Sequence, residues 1–255
     1  MSIHVRVVTP ITTSGFRGEE DARGLESEGV SVDFVNIDAG PASIECEFEI
    51  MLSQPATIAR IVEAERAGAQ AVVIDCMGDP GLIGARECVS SPVVGPMQTA
   101  MGLAAMMGHK FSVVTVLDRI VPMIERQATA YGLAGKLASA RAIDIPVLEL
   151  EKDMEATRRA LVAEAARCVV EDGADYIIFG CTGLLGCAGA VRAGLLSEGL
   201  DVPVIDPVPT AVNLAAAIVR SGLSHSKRAF PRPPQKAVVG YAAVGFGGAQ
   251  AIAAE

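Results

Sequence analysis

The strongest constraint on how this chain can fold is that its sequence is written twice. Residues 68–85, "GAQAVVIDCMGDPGLIGA", lie on residues 173–190, "GADYIIFGCTGLLGCAGA", at a constant offset of 105. Gly68 meets Gly173 and Cys76 meets Cys181, and beyond the cysteines Gly78, Gly81 and Gly84 meet Gly183, Gly186 and Gly189. After a six-residue insertion, "PVVGPMQTAMGLAA" (92–105) lies on "PVIDPVPTAVNLAA" (203–216), and "VVT" recurs at 7–9 and 113–115. Two unrelated segments of the same fold class would not keep a cysteine and four glycines in register.

Each copy reads as β-α-β-α-β-α-β. β-Branched runs predict strands at about 3–9, 31–37, 71–75 and 92–94, then at 111–116, 141–148, 176–180 and 203–205, with helical patterns between them. Hydrophobic residues make up 51% of the chain but aromatics only 4%, and there is no Trp. The core is therefore built from Ala, Val, Ile and Leu, as in buried parallel sheets covered by helices. The expectation is an α/β protein of two similar lobes related by a pseudo-twofold, each a four-stranded parallel sheet. The first lobe spans 1–100 with a helix at about 208–222, the second 101–207, and a tail follows over 223–255. Right-handed crossovers place ligands outside the carboxyl ends of the strands, where both repeat cysteines fall. If those ends face each other, one cleft receives Cys76 and Cys181 from opposite sides; side-by-side packing of the repeats is the alternative.

A net charge of −9 and a pI near 4.9, without a basic cluster, argue against nucleic acid as a partner. "SSPVVGPMQTAMGLAAMMGH" is broken by Pro96, Gln98 and two glycines, so no membrane span is expected. "MSIHVRVVTP" lacks the pattern of a secretory signal, and the expected location is cytoplasmic. There the six cysteines stay reduced. None of them pairs with a histidine at zinc spacing, and His4, His109 and His225 form no motif.

A single cysteine at a strand end is usually packing. Two at equivalent points of a repeat, each with glycine two residues on, point to chemistry. A pair of proton-transfer groups on opposite faces of one carbon lets one remove the proton while the other returns one on the far side. Thiols suit this because their ordinary pKa lies near working pH, and free backbone N–H groups after each cysteine stabilise a thiolate. Cys168 continues an apolar helix stripe, and Cys46 and Cys88 lack the glycine setting; these are read as packing, as is Cys187, though it lies only six residues beyond Cys181.

"DCMGDPGL" and "DGADYIIFGCTG", at this interval, resemble the hydantoin racemase branch, allantoin racemases included, of the aspartate/glutamate racemase superfamily. The resemblance covers essentially the whole chain, including the Pro-rich basic segment "KRAFPRPPQK". It implies two Rossmann-like lobes with one active site between them, no cofactor (neither pyridoxal phosphate nor metal), a small-molecule substrate and a homo-oligomer. The acid and base roles carry over to Cys76 and Cys181 alone. Two motifs depart from the branch: "GCTG" stands where it usually has GCAG, and "TPITTSG" where it usually has NPN. Met77-Gly78 replaces the Asn-Thr with which amino-acid racemases grip a carboxylate.

The reading is racemisation of a 5-substituted hydantoin or similar cyclic ureide at the ring CH. Backbone N–H groups near Gly78, Thr182 and Gly183 are candidates to receive the developing charge. The hydroxyls of Thr9, Thr12, Thr13 and Thr115, at matching first-strand ends, are candidates for hydrogen bonds to the ring, with turn and helix capping as the alternative. Asp79 is a candidate for the ring N–H, although "GDPG" is also a plain turn signal. Asp206 and Thr210 are weaker candidates. Rival readings are allantoin racemase, aspartate or glutamate racemase, maleate cis-trans isomerase and, outside enzymes, a metabolite-binding or thiol redox-sensing protein; arylmalonate decarboxylases, which keep only the second cysteine, resemble the pattern less.

Overall fold

A computed structural model describes residues 2–234 and 236. Strands β1 (Ile3–Thr9), β2 (Val30–Asn36), β3 (Ala71–Ile74) and β4 (Val93–Val94) form one sheet, ordered β2-β1-β3-β4. β5 (Phe111–Thr115), β6 (Leu137–Ala142), β7 (Tyr176–Phe179) and β8 (Val204–Ile205) form the other, ordered β6-β5-β7-β8. Every pairing between these strands is parallel. The repeat in the sequence is thus a repeat in topology. Central strands "AVVI" and "FSVVT" are buried throughout, which is why neither alternates apolar with exposed polar residues.

Among the described residues, eight α-helices cover the sheets: α1 (Glu19–Leu25), α2 (Glu47–Arg66), α3 (Leu82–Cys88), α4 (Pro96–Met107), α5 (Val121–Ala130), α6 (Met154–Val170), α7 (Ala188–Ser197) and α8 (Pro207–Arg220). In both sheets the strand order reverses between the first and third strands, and the loops leaving their carboxyl ends diverge to open a crevice. Thr9 and Cys76 mark that crevice in the first lobe, Thr115 and Cys181 in the second.

The lobes exchange their last helices. The buried face of α8 (Val208, Ala211, Val212, Ala215) joins the core of β1 and β3. Conversely Met97, Ala100, Met101 and Ala104 of α4 join the core around Phe111, Ile177 and Phe179. The expected boundary after residue 100 therefore falls inside a helix that belongs to the second lobe from Pro96 onward. Full burial of a methionine contributes about 1.5–3 kcal/mol, so Met97 and Met101 alone tie the lobes firmly together.

One strand lies elsewhere than expected. The 141–148 run predicts a strand, but β6 occupies 137–142. Asp144 adopts a left-handed φ of 56°, and Pro146 leads into a 3₁₀ turn over Val147–Asp153. The strand itself, "LASARA", is a half-buried edge with little apolar signal. Of the tail predicted over 223–255, residue 235 and residues 237–255 lie outside the described residues. Its described part packs on the first lobe, where the Lys227 ammonium donates to the Arg86 carbonyl at 2.7 Å.

Gly180, just before Cys181, has no room for a side chain: a Cβ there would lie 2.6 Å from the Thr115 Cβ and 2.9 Å from Val113 Cγ1. Gly180→Ala is expected to destabilise by about 1–3 kcal/mol through overpacking. Gly102, in α4 with open space around it, gives the opposite sign: Gly102→Ala gains up to about 1 kcal/mol. Urea-unfolding midpoints of the two variants check the pair.

Candidate active site

Cys76 and Cys181 line one cavity between the lobes, of about 520 Å³ including the solvent at its mouth. The carboxyl ends of β3 and β7 therefore face each other across it rather than lying side by side. The setting of each thiol repeats: the Gly78 N–H donates to Cys76 Sγ at 3.3 Å, and the Gly183 N–H donates to Cys181 Sγ at 3.3 Å. Space for a side chain is tight at both places: a Cβ at Gly78 would lie 3.0 Å from Ile50 Cδ1, and one at Gly183 would lie 3.0 Å from Leu150 Cδ1. Burial pushes both thiols up, Cys181 to about 11 and Cys76 further, while these N–H donors pull both down.

Most of the wall is apolar, with Ile11, Phe16 and Ile50 from the first lobe and Val116, Ile120 and Met123 from the second. Among the described residues no Lys, Arg or His lines it. A third thiol, Cys46, does line it from the N-terminal end of α2. That corrects its reading as packing; the glycine criterion missed it because Cys46 has no counterpart in the repeat. Cys88, Cys168 and Cys187 are buried in the cores, as expected.

The remaining predicted residues divide. Gly78 and Thr182 line the cavity, but Thr9, Thr12, Thr13, Asp79, Thr115 and Gly183 do not. Thr9 is buried and donates to the Asp75 carboxylate at 3.1 Å, and Thr115 is buried against the Gly180 carbonyl at 3.3 Å. Thr12 and Thr13 are spent on the carbonyls of Pro41 and Ala42, at 3.2 and 2.7 Å. Their hydroxyls fasten backbone, which is the capping alternative rather than ring recognition. Asp206 accepts from the Gly186 N–H at 2.7 Å, and the Thr210 hydroxyl donates to the Asp206 carbonyl at 2.6 Å. Neither of these residues lines the cavity.

Asp79 is buried beneath the Cys76 loop, at a left-handed φ of 45°. Its carboxylate accepts from the Met97 and Gln98 N–H groups at the start of α4, at 3.2 and 3.0 Å, and from the Tyr131 hydroxyl at 2.6 Å. It holds the loop rather than a ligand. Burial outweighs these three donors and pushes the carboxyl up to about 6. A buried acid raised in this way stabilises the fold in its protonated form, and that contribution is lost as pH rises through about 6. Tyr131→Phe removes one donor from the charged form and is expected to cost about 1–3 kcal/mol. Because the loss falls on the carboxylate, it is larger at about pH 8 than at about pH 5, as unfolding midpoints at the two values will read.

The polar centre that sequence reasoning missed is Arg17 with Asp75. Arg17 Nε and Nη2 donate to the two carboxylate oxygens of Asp75 at 2.8 and 2.9 Å, and Nη2 also donates to the Thr182 carbonyl at 2.6 Å. The Thr182 hydroxyl returns a bond to the Asp75 carbonyl at 3.1 Å. The pair is almost dry, with the side chains 4% and 0% exposed. It straps the residue before Cys76 to the residue after Cys181.

A family model described as Asp/Glu/hydantoin racemase matches residues 17–215. The hydantoin racemase of Pseudomonas sp. (strain NS671) is 39% identical over 239 residues, covering 92% of this chain and 94% of that protein. Among solved structures, the allantoin racemase from Klebsiella pneumoniae superposes with a TM-score of 0.88 at 31% identity, covering 95% of this chain and 99% of that one. The allantoin racemase from Pseudomonas fluorescens gives 0.86 at 36%, covering 93% and 100%. A two-lobed α/β enzyme of the racemase class is what the fold and these matches define. The chain belongs to the Asp/Glu/hydantoin racemase family, in its hydantoin racemase branch.

Proposed function

We propose that the protein racemises 5-substituted hydantoins, or closely similar cyclic ureides, by proton transfer between Cys76 and Cys181. One cysteine as thiolate takes the proton from the ring carbon C5, and the electron pair delocalises into the adjacent ring carbonyl. The other, as thiol, returns a proton to the opposite face, leaving one thiolate and one thiol exchanged. The Gly78 and Gly183 N–H groups, already donated to sulfur, serve whichever thiolate is present.

The observation that carries the substrate class is the lining: Cys76, Cys181, Cys46 and the Asp75 carboxylate in a mostly apolar wall, with no cationic side chain among the described residues. A neutral ring enters such a cavity without an unpaired charge. The carboxylates of aspartate, glutamate or maleate would be desolvated there with no counter-ion, at a cost of several kcal/mol. Allantoin is itself a hydantoin with a ureido group at C5 and fits the same argument. The hydantoin and allantoin racemases that match the chain support the reading.

The same reading includes a cytoplasmic, reducing location, which keeps the two thiols from oxidising; no helix among the described residues is long and apolar enough to cross a membrane. It also includes a homo-oligomer, supported by the apolar groove between α4 and α8 and the exposure of Met106 and Leu214 beside it. The test of substrate class is optical rotation with alkyl and aryl hydantoins, allantoin, aspartate, glutamate and maleate. Turnover confined to the cyclic ureides is the expected result. Turnover of the free carboxylates with none of the ureides would overturn it.

A further inference from the structure

The repeat is broken at one position that bears on the two thiols. Asp75 precedes Cys76, but its counterpart before Cys181 is Gly180, where Thr115 and Val113 leave no space for a side chain. A carboxylate therefore precedes only one of the two thiols in the chain, although Asp75 acts on both across the cavity. Its counter-charge reaches the other: the Arg17 guanidinium spans from Asp75 to the carbonyl of Thr182, the residue after Cys181. Stacking of Arg17 on the Phe16 ring at 4.7 Å and near the Phe34 ring at 5.8 Å, in a nearly dry setting, fixes this separation of charge.

We propose that Arg17 is a positioning residue that makes Cys181 the first of the two thiols to ionise and keeps Cys76 as the proton donor. The inference rests on the two-thiol reading above and deepens it. In the first half-cycle the Cys181 thiolate takes the C5 proton and Cys76 gives one up. That leaves Cys181 as thiol and Cys76 as thiolate, which is reset by turning over the opposite enantiomer or through solvent.

The other charged groups around the thiols point the same way. Burial is the largest influence on both. Beyond it, Cys181 has Arg17 drawing it down against Asp75 and Glu45, whereas Cys76 has only Cys181, Asp79 and Asp75, all of which push it up. The equilibrium constant between two enantiomers is one, so kcat/KM is equal in both directions whichever thiol ionises first. The asymmetry must be read from the thiols.

The experiment is alkylation of the intact protein with iodoacetamide from about pH 7 upwards, with each cysteine followed by peptide mass spectrometry. The midpoint of the Cys181 curve is expected at least about one pH unit below that of Cys76, a tenfold difference in thiolate fraction at any lower pH. Arg17→Met should close most of that gap and Arg17→Lys should retain it. Asp75→Asn, close in size and still beside Thr9, should speed Cys76 alkylation. A Cys76 midpoint at or below that of Cys181 in the wild type overturns the proposal. So does a folded Arg17→Met or Asp75→Asn protein with unchanged midpoints. These readouts need no turnover. A protein that shows the expected order but does not exchange a hydantoin C5 proton contradicts the two-thiol reading instead.

Discussion

Cys181→Ser and Cys76→Ser each lower the racemisation of a hydantoin by about 10²–10⁴-fold, the span that one acid–base group contributes. The more informative result lies in what each variant keeps. A protein with one thiol still removes and returns a proton on the face that thiol meets, so each variant exchanges C5–H of one enantiomer with solvent without inverting it. The two variants select opposite enantiomers, because the thiols come from facing sheets into one cavity. Proton NMR and optical rotation on the same samples separate exchange from inversion. A variant that retains full racemisation, or two variants that exchange the same enantiomer, contradicts the assignment of the pair.

Arg17→Met is expected to destabilise the fold by about 3–5 kcal/mol, as removal of one partner of a buried ion pair does. Asp75 would keep only the Thr9 hydroxyl for its carboxylate, with the side chain fully buried, and the Thr182 carbonyl would keep only the Leu185 N–H. Much of that loss is the penalty of an unpaired charge rather than the worth of the pair. The double variant Arg17→Met with Asp75→Asn is therefore expected to recover part of it, since replacing both ions is often near neutral. Urea unfolding of the two single variants and the double variant gives the coupling. A loss below about 1 kcal/mol in Arg17→Met would place the pair with exposed surface ion pairs and contradict its role as a strap between the lobes.

What the sequence made legible followed from repetition and from strong apolar periodicity. The central strands "VVT", "AVVID" and "YIIFG" announce themselves because burial on both faces demands unbroken branched residues. The cysteines become visible because a second copy places each in register with the other. β6 was misplaced because an edge strand of alanine and serine carries no such signal, while "IDIPV" beside it carries a false one. The threonines illustrate another limit: a hydroxyl at a strand end serves a backbone carbonyl as readily as a ligand, and only coordinates decide. Arg17 was hidden because its partners stand 58 and 165 residues away in sequence. The trace it left was a mismatch: Asp75 against Gly180 is where the aligned halves differ in charge beside the cysteines.

The most direct test of the account follows the wild-type protein with one pure enantiomer of a 5-alkylhydantoin in deuterated water at early conversion. Transfer between two thiols predicts that the inverted product carries one solvent deuterium at C5, while the substrate remaining at that point is still protiated. Product that retains the original hydrogen, or recovered substrate that gains deuterium as fast as product forms, would contradict a proton passed in on one face and out on the other.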